Sequence, residues 1–443
     1  MSVQTLTPAS IASEQRSTVR CASCGATLDD RTARATCANC GGLLAVEHVA
    51  PKAKGVALRE LFDARLGAAS YRGSAADRSG VWRFRELVLP AARPEEIVSH
   101  PEGNTPLVAR EAVASFAGVN ALRLKHEGHN PSASFKDRGM TAALTQARRI
   151  GARAVACAST GNTSASLAAY AAQAGIPAFV LVPEGRVSTG KLAQTLAYGA
   201  HMIRLRGDFD DCLELAREAS ERLGIYLVNS LNPFRVEGQK TIVLELLQQL
   251  GWESPDWIAL PAGNLGNTAA FGKALREAHA LGLIDRVPRL LAVQAAGAAP
   301  FAAGFSDDFA TRRRVRAETA ATAIRIGDPA SWDRAVEAIR FTAGHVVAVS
   351  DAEIFAAKRV IDACGVGCEP ASAASVAGVR TLAERGIIGR EERVVSVLTG
   401  HLLKDPDAAL AARVAGGLGS DEPLTRDEAL AHLERVLTSS SSR

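Results

Sequence analysis

Aromatic side chains make up only 5% of the 443 residues, and long apolar runs are missing. No stretch of about 18 or more apolar residues occurs, so no membrane-spanning helix is expected. A strong charge of one sign is missing too. The formal net charge is +4, too small at this length to predict wrapping of nucleic acid or docking on an acidic membrane. The N-terminal MSVQTLTPASIASEQRSTVR lacks the apolar core of a secretory signal. It reads as a disordered lead over residues 1–18, although its shortage of acidic residues also suits a transit peptide. The C-terminal SSSSR is likewise expected to lack order. Nor does cysteine follow the usage of a small secreted disulfide scaffold. Cys21, Cys24, Cys37 and Cys40 cluster, while Cys157, Cys212, Cys364 and Cys368 are scattered through apolar or helical segments. A reducing cytoplasm fits this pattern, and the length predicts two or three domains.

What is present begins with CASCGATLDDRTARATCANCGG, Cys21 to Gly42. Two C-x2-C pairs place four thiols where they can surround a tetrahedral zinc ion, and Gly25 and Gly41 each permit the tight turn after a pair. So short a segment buries little surface, so a metal would supply much of its stability. Four protein ligands leave no position for water, which makes the expected site structural. A reduced, metal-free remnant is the alternative.

Beyond Leu122 apolar runs of strand length alternate with helix-length amphipathic segments. The runs are 154–159, 178–183, 201–206, 226–230, 257–263, 290–294 and 394–399. The helical segments include 163–174, 209–223, 236–250 and 268–281. Such alternation predicts mainly parallel sheets flanked by helices, here in two α/β lobes with a cleft between them. Ligands of such sheets bind beyond the carboxyl ends of strands, so the residues that follow each strand are where chemistry is expected.

Four of these post-strand segments are unusual. In NPSASFKDRG, Pro131 keeps Asn130 out of a helix, and a helix is expected to start near Lys136. At that end the dipole favours a neutral amine, the form that attacks carbonyls. Alone, this reads as an exposed lysine in a turn. The segment Ser159-Thr160-Gly161-Asn162-Thr163 offers hydroxyls, an amide and backbone N–H groups as an anion cradle, or else an ordinary helix cap. The segment Gly263-Asn264-Leu265-Gly266-Asn267 lets the backbone approach a phosphate, without being a dinucleotide fingerprint. The fourth feature pairs Asn229 and Arg235 with Thr399: the arginine can grip a second anion or sit in a surface ion pair, and the hydroxyl can reach the cleft or cap a turn. One lysine, two anion cradles, an arginine and a hydroxyl at strand ends suit a phosphorylated cofactor that reacts covalently with an amine.

These residues resemble the fold-type-II pyridoxal-phosphate (PLP) enzymes, threonine synthases in particular. EGNTPL at 102–107, KHEGHNPSASFKDRG at 125–139, ASTGNTSAS at 158–166, NSLNPFRVEGQK at 229–240, PAGNLGN at 261–267, EPASAAS at 369–375 and LTGHLLKDP at 398–406 carry the resemblance in order. The zinc-ribbon-like segment is also similar to that of some relatives. The resemblance implies that Lys136 forms a Schiff base with pyridoxal phosphate and later moves protons. It implies that Gly263, Asn264, Leu265, Gly266 and Asn267 hold the cofactor phosphate, Asn162 the ring hydroxyl and Thr399 the pyridine nitrogen. Ser159, Thr160 and Thr163 would grip the substrate carboxylate. Thr163, Asn229 and Arg235, with Asn267, would receive a substrate phosphate. The reaction implied is conversion of O-phospho-L-homoserine and water to L-threonine and phosphate. Zinc at Cys21, Cys24, Cys37 and Cys40 and a cytoplasmic homodimer are expected.

Two departures stand out. The family usually has Thr-Gly where this chain has Ser132-Ala133, and Gly where it has Leu402; the leucine is expected to add bulk near the pyridine ring. The alternatives are a related PLP lyase or β-replacement enzyme, such as a threonine dehydratase-like or cysteate synthase-like one, and a non-catalytic protein whose module grips nucleic acid or a partner. The module has Arg20, Arg31 and Arg34 but no aromatic residue for base stacking. The expected division is a module at 19–46, a cofactor lobe at 47–138 and 238–410, a small lobe at 139–237 and a helical or disordered extension at 411–443.

Overall fold

The computed structural model describes residues 17–67, 74–184, 189–408 and 425–440. The chain divides into two compact units, Met1–Asp405 and Pro406–Arg443. In the second, a helix spans Arg426–Ser440 and takes in the first two serines of the tail expected to lack order.

The first unit is built on three sheets. Strands β1 (Ser17–Cys21), β2 (Thr27–Asp29) and β3 (Leu44–His48) form an antiparallel sheet ordered β2-β1-β3. Residues 17 and 18 therefore belong to the module and not to a disordered lead; the rest of the expected lead, 1–16, lies outside the described residues. The module also extends to His48, past the expected end at 46.

The largest sheet contains β4 (Leu107–Ala109), β5 (Ala121–His126), β10 (Trp257–Pro261), β11 (Arg289–Ala295), β12 (His345–Val349) and β13 (Arg393–Leu398). Their order is β12-β11-β10-β13-β5-β4, parallel except for the edge pair β4–β5. Every residue of β10 is buried. Ile258 and Leu260 enter one apolar cluster and Trp257 and Ala259 another, as a sheet covered on both faces requires.

The remaining sheet holds β6 (Val155–Ala158), β7 (Ala178–Pro183), β8 (His201–Leu205) and β9 (Tyr226–Leu227), all parallel in the order β8-β7-β6-β9. Val155 and Cys157 face one cluster, Ala156 and Ala158 the other.

The helices that position the site are α1 (Lys136–Arg149), α2 (Asn162–Ala174), α3 (Phe209–Leu223), α4 (Pro233–Gln239), α5 (Gly266–Ala280), α6 (Trp332–Phe341) and α7 (Pro370–Glu384). The helix expected over 236–250 is two helices. The first starts three residues early, because Asn232 caps it with a 3.0 Å bond from the Phe234 N–H and Pro233 sits at its first position. The second spans Thr241–Gln249, after a turn at Lys240. Where α4 crosses α1 the backbones touch: a Cβ on Gly238 would lie 1.8 Å from the Arg138 carbonyl oxygen.

Candidate active site

The loops after β5, β6, β9, β10 and β13 converge on a cavity of about 810 Å³. Lys136, Ser159, Thr160, Asn162, Thr163, Asn229, Arg235, Thr399 and the whole Gly263–Asn267 segment line it. The structure thus brings together all the cofactor- and substrate-site residues that the sequence pointed to.

Lys136 opens α1 directly after Phe135, with Nζ 4.1 Å from the centre of the Phe135 ring. Burial lowers its pKa to about 7; Arg235 pushes the same way and Glu369 opposes. Burial, more than the helix end, is therefore the main cause of a neutral amine here. The preceding loop is bonded to the end of β13: the Phe135 N–H donates to the Thr399 carbonyl at 2.9 Å, and the His401 N–H to the Ala133 carbonyl at 3.0 Å. Asp137 is turned away from the amine. Its carboxylate accepts from the Ser132 N–H at 2.6 Å and the Ser166 hydroxyl at 2.6 Å, while burial pushes its pKa up to about 6.

One turn of α1 is anchored in a buried charge network. Arg138 pairs with Glu127 at 2.7 Å and Glu245 at 2.8 Å, and Lys125 reaches Glu245 at 2.6 Å. With each charge matched and hydrogen-bonded, the network fixes the start of the helix.

The helix α5 begins without a side-chain cap, and Leu265 before it is left-handed at φ 63°. A non-glycine residue tolerates that conformation at a cost, commonly where a ligand needs the turn. Uncapped N–H groups at the end of this 15-residue helix, facing a glycine-bearing loop, suit a phosphate. Asn264 ties the loop to Ser230 at 2.6 Å and to the Ala330 N–H at 2.7 Å, and Gln239 donates to Asn267 at 2.7 Å.

Arg235 is 1% exposed. Its Nη1 donates to the Val228 carbonyl at 3.0 Å, Nε has no partner, and no carboxylate pairs with it among the described residues. Burial lowers its pKa to about 10. A buried cation with an unpartnered N–H, on a residue that lines the cavity, suits an anion. Asn229 is less free: its amide makes two 3.0 Å bonds with the Ala158 backbone, leaving one N–H and one lone pair.

Thr399 lies 3.0 Å from Ser372 and 3.3 Å from Glu369, which also accepts from Asn162 at 3.1 Å. Glu369 is a site residue to which the sequence had given no role. It is buried, and burial raises its pKa. Gln239, Lys404 and His401 also line the cavity without having been foreseen. Leu402 does not line it. Its Cδ2 occupies the space beside Gly367, where an added Cβ would lie 2.3 Å away, and Leu403 faces the cleft instead.

In the module, the sulfurs of Cys21, Cys24, Cys37 and Cys40 lie within 4.8 Å of one another. Cys21–Cys40 are 3.5 Å apart and Cys24–Cys37 3.7 Å, close to the edge of about 3.8 Å that tetrahedral zinc–thiolate bonds produce. The Cys24 N–H points at the Cys21 sulfur from 3.5 Å and the Asn39 N–H at the Cys37 sulfur from 3.4 Å. Gly25 and Gly41 adopt φ of 74° and 70° in the turns.

A family model of pyridoxal-phosphate dependent enzymes matches residues 98–400. A threonine synthase from Methanocaldococcus jannaschii is 43% identical over 426 residues, covering 94% of this chain and 98% of that protein. One from Mycobacterium tuberculosis is 52% identical over 311 residues, 70% of this chain and 84% of its own. Among solved structures, threonine synthase from Escherichia coli is similar with a TM-score of 0.69 at 19% identity, covering 93% of this chain and 94% of its own. At that identity the likeness speaks to the fold.

Proposed function

The chain belongs to the pyridoxal-phosphate dependent enzymes and, among them, to the threonine synthases; on that premise we propose how its own residues divide the conversion of O-phospho-L-homoserine and water into L-threonine and phosphate. The observation that carries the phosphorylated substrate is Arg235, a buried cation lining the cleft with an unpartnered N–H and no acidic partner among the described residues.

Bound to Lys136, pyridoxal phosphate supplies the electron sink for charge that develops on the substrate carbons. The uncapped end of α5 and the Gly263–Asn267 loop would hold its phosphate, Asn162 would meet the ring hydroxyl and Thr399 the pyridine nitrogen. Glu369 touches both of these side chains and holds their orientation. The Ser159–Thr163 loop grips the substrate carboxylate. Thr163, Asn229, Arg235 and Asn267 take the substrate phosphate and so fix Cγ, from which it departs. Lys136 Nζ, as a free amine, would remove the Cα proton and then a Cβ proton. Water adds at Cβ, and protons return to Cγ and Cα. An amine whose pKa lies near 7 serves as base and acid in turn.

Arg235→Ala should lower kcat/KM for O-phospho-L-homoserine about a hundredfold or more, because it removes charge-assisted bonds to a desolvated phosphate. The visible spectrum of the holoenzyme should persist. Unchanged turnover would remove the phosphate pocket from this arginine and favour a PLP lyase acting on an unphosphorylated amino acid.

The remaining assignments follow the same reading. Zinc fits the four thiols of the module in a closed, structural site. The small lobe is centred on β6–β9 and the cofactor lobe on the six-stranded sheet, with the enzyme a homodimer in the cytoplasm. No helix among the described residues is long and apolar enough to cross a membrane.

A further inference from the structure

We propose that His48, in the N-terminal module, is a positioning residue for substrate-phosphate binding: through Glu237 it fixes the helix α4 that carries Arg235. This rests on the reading of Arg235 given above. Residues four apart share a helix face, so Arg235 and Gln239 both look into the cleft while Glu237, between them, points the other way. There Glu237 meets the module. Its Oε2 lies 2.9 Å from His48 Nε2 and 2.6 Å from Lys240 Nζ, and its other oxygen pairs with Lys273.

The proton positions follow from the partners. Neighbouring lysines keep Glu237 a carboxylate although burial opposes them. His48 Nε2 must therefore donate, and its Nδ1 accepts from the Ser17 hydroxyl at 2.8 Å. Both ring nitrogens of a neutral, buried imidazole are satisfied, so the ring is locked between β1 and α4. The same helix touches α1 at Gly238, and Gln239 holds Asn267 of the phosphate loop. A rotation of α4 that released Glu237 would therefore move Arg235 and Gln239 together. The cofactor's contacts through Lys136, Asn162 and Thr399 lie on other elements. Arg235 rides on α4 itself, whereas α4 reaches the cofactor's contacts only indirectly, through Gln239–Asn267 and the Gly238 crossing; substrate phosphate should therefore respond more than the cofactor does.

The test compares His48→Ala and His48→Gln holoenzymes with the unaltered holoenzyme, by turnover and by calorimetric binding of inorganic phosphate. In His48→Ala, KM for O-phospho-L-homoserine and Kd for phosphate should each rise about tenfold, with kcat changed by less than about twofold. The cofactor absorbance should be unaltered. A glutamine side chain offers an amide N–H in place of the imidazole donor, so His48→Gln should recover most of the affinity. Equal phosphate affinity in all three proteins would overturn the proposal, and so would loss of kcat or of cofactor at unchanged phosphate affinity. Should His48→Ala fail to fold, Glu237→Gln keeps the shape and gives up the charge, and the same rise in Kd is expected. Phosphate binding is read without turnover. An unaltered holoenzyme inactive on O-phospho-L-homoserine would therefore sink the functional reading, while the role of His48 is decided separately.

Discussion

A lysine in water holds its proton up to a pH of about 10.4; burial beside Arg235 brings Lys136 down to about 7. Only the neutral amine attacks an aldehyde. In the cofactor-free protein, capture of pyridoxal phosphate should therefore speed up about tenfold per pH unit below neutrality and level off above about pH 7. Stopped-flow absorbance near about 410 nm follows it; a rate still climbing at pH 9 would mean an ordinary lysine. The same shift sets a sign for stability. The folded pKa lies below the unfolded one, so from about pH 7 to about pH 10.4 the unfolded chain binds more protons. Burying this amine costs stability fully below that window, and the cost fades as pH rises through it. The chemistry of Lys136 and Arg235 was legible because each follows a strand and stands among polar neighbours in sequence. Glu369 was not. What makes it a site residue is its contact with Asn162, over two hundred positions away, and a burial that one sequence does not display.

Among the elements, the turn before α1 bears a visible compromise. Ala133 sits at φ 66°, a left-handed conformation that costs an alanine about 1–2 kcal/mol and a glycine nothing. The turn cannot relax, because the Ala133 N–H donates to Asn130 at 2.8 Å and its carbonyl accepts from His401. The departure from the Thr-Gly of similar enzymes is therefore a backbone matter before it is one of substrate choice. Ala133→Gly should raise stability by about 0.5–1 kcal/mol, the strain relieved less the entropy that glycine adds to the unfolded chain. Urea unfolding with an unchanged m-value checks it; a lower midpoint would show that the methyl group's packing in the cleft outweighs the strain. Strand and helix alternation from β6 to α5 could be read from the sequence because buried parallel strands are short apolar runs. The strand β12, HVVAV, was passed over: it adjoins a longer helical pattern, and its place at the sheet edge depends on β11. The early start of α4 was also missed, since Asn229 and Arg235 were read for anion binding and the Asn232-Pro233 cap between them was given no role.

At the scale of the molecule, the N-terminal module is a clamp rather than an appendage. Arg31 donates to the Arg149 carbonyl at 3.0 Å and Gln146 to the Asp30 carbonyl at 2.6 Å, so the module grips the far end of the helix that begins with Lys136. On its other side His48 holds α4, Lys273 of α5 reaches the Val46 carbonyl at 2.5 Å, and Arg334 of α6 the Leu44 carbonyl at 2.7 Å. Few of the module's residues are buried apolar ones, so a metal held by the four thiols would supply much of its order. Protein purified without chelator should carry about one zinc per chain by elemental mass spectrometry. Stripping it should lower the melting temperature by a few degrees, about what 2–4 kcal/mol produces in a chain this long. Hydrogen exchange should then quicken across residues 17–48 and along α4, while β10, β11 and β13 stay protected: one of their faces shares an apolar cluster with Val19, Leu44 and Val46, but the other packs in a cluster to which the module contributes nothing. If chelation frees the metal and exchange along α4 does not change, the module folds on its own account and the clamp is not real. If exchange rises equally in β10, the metal holds the whole unit rather than this edge of it.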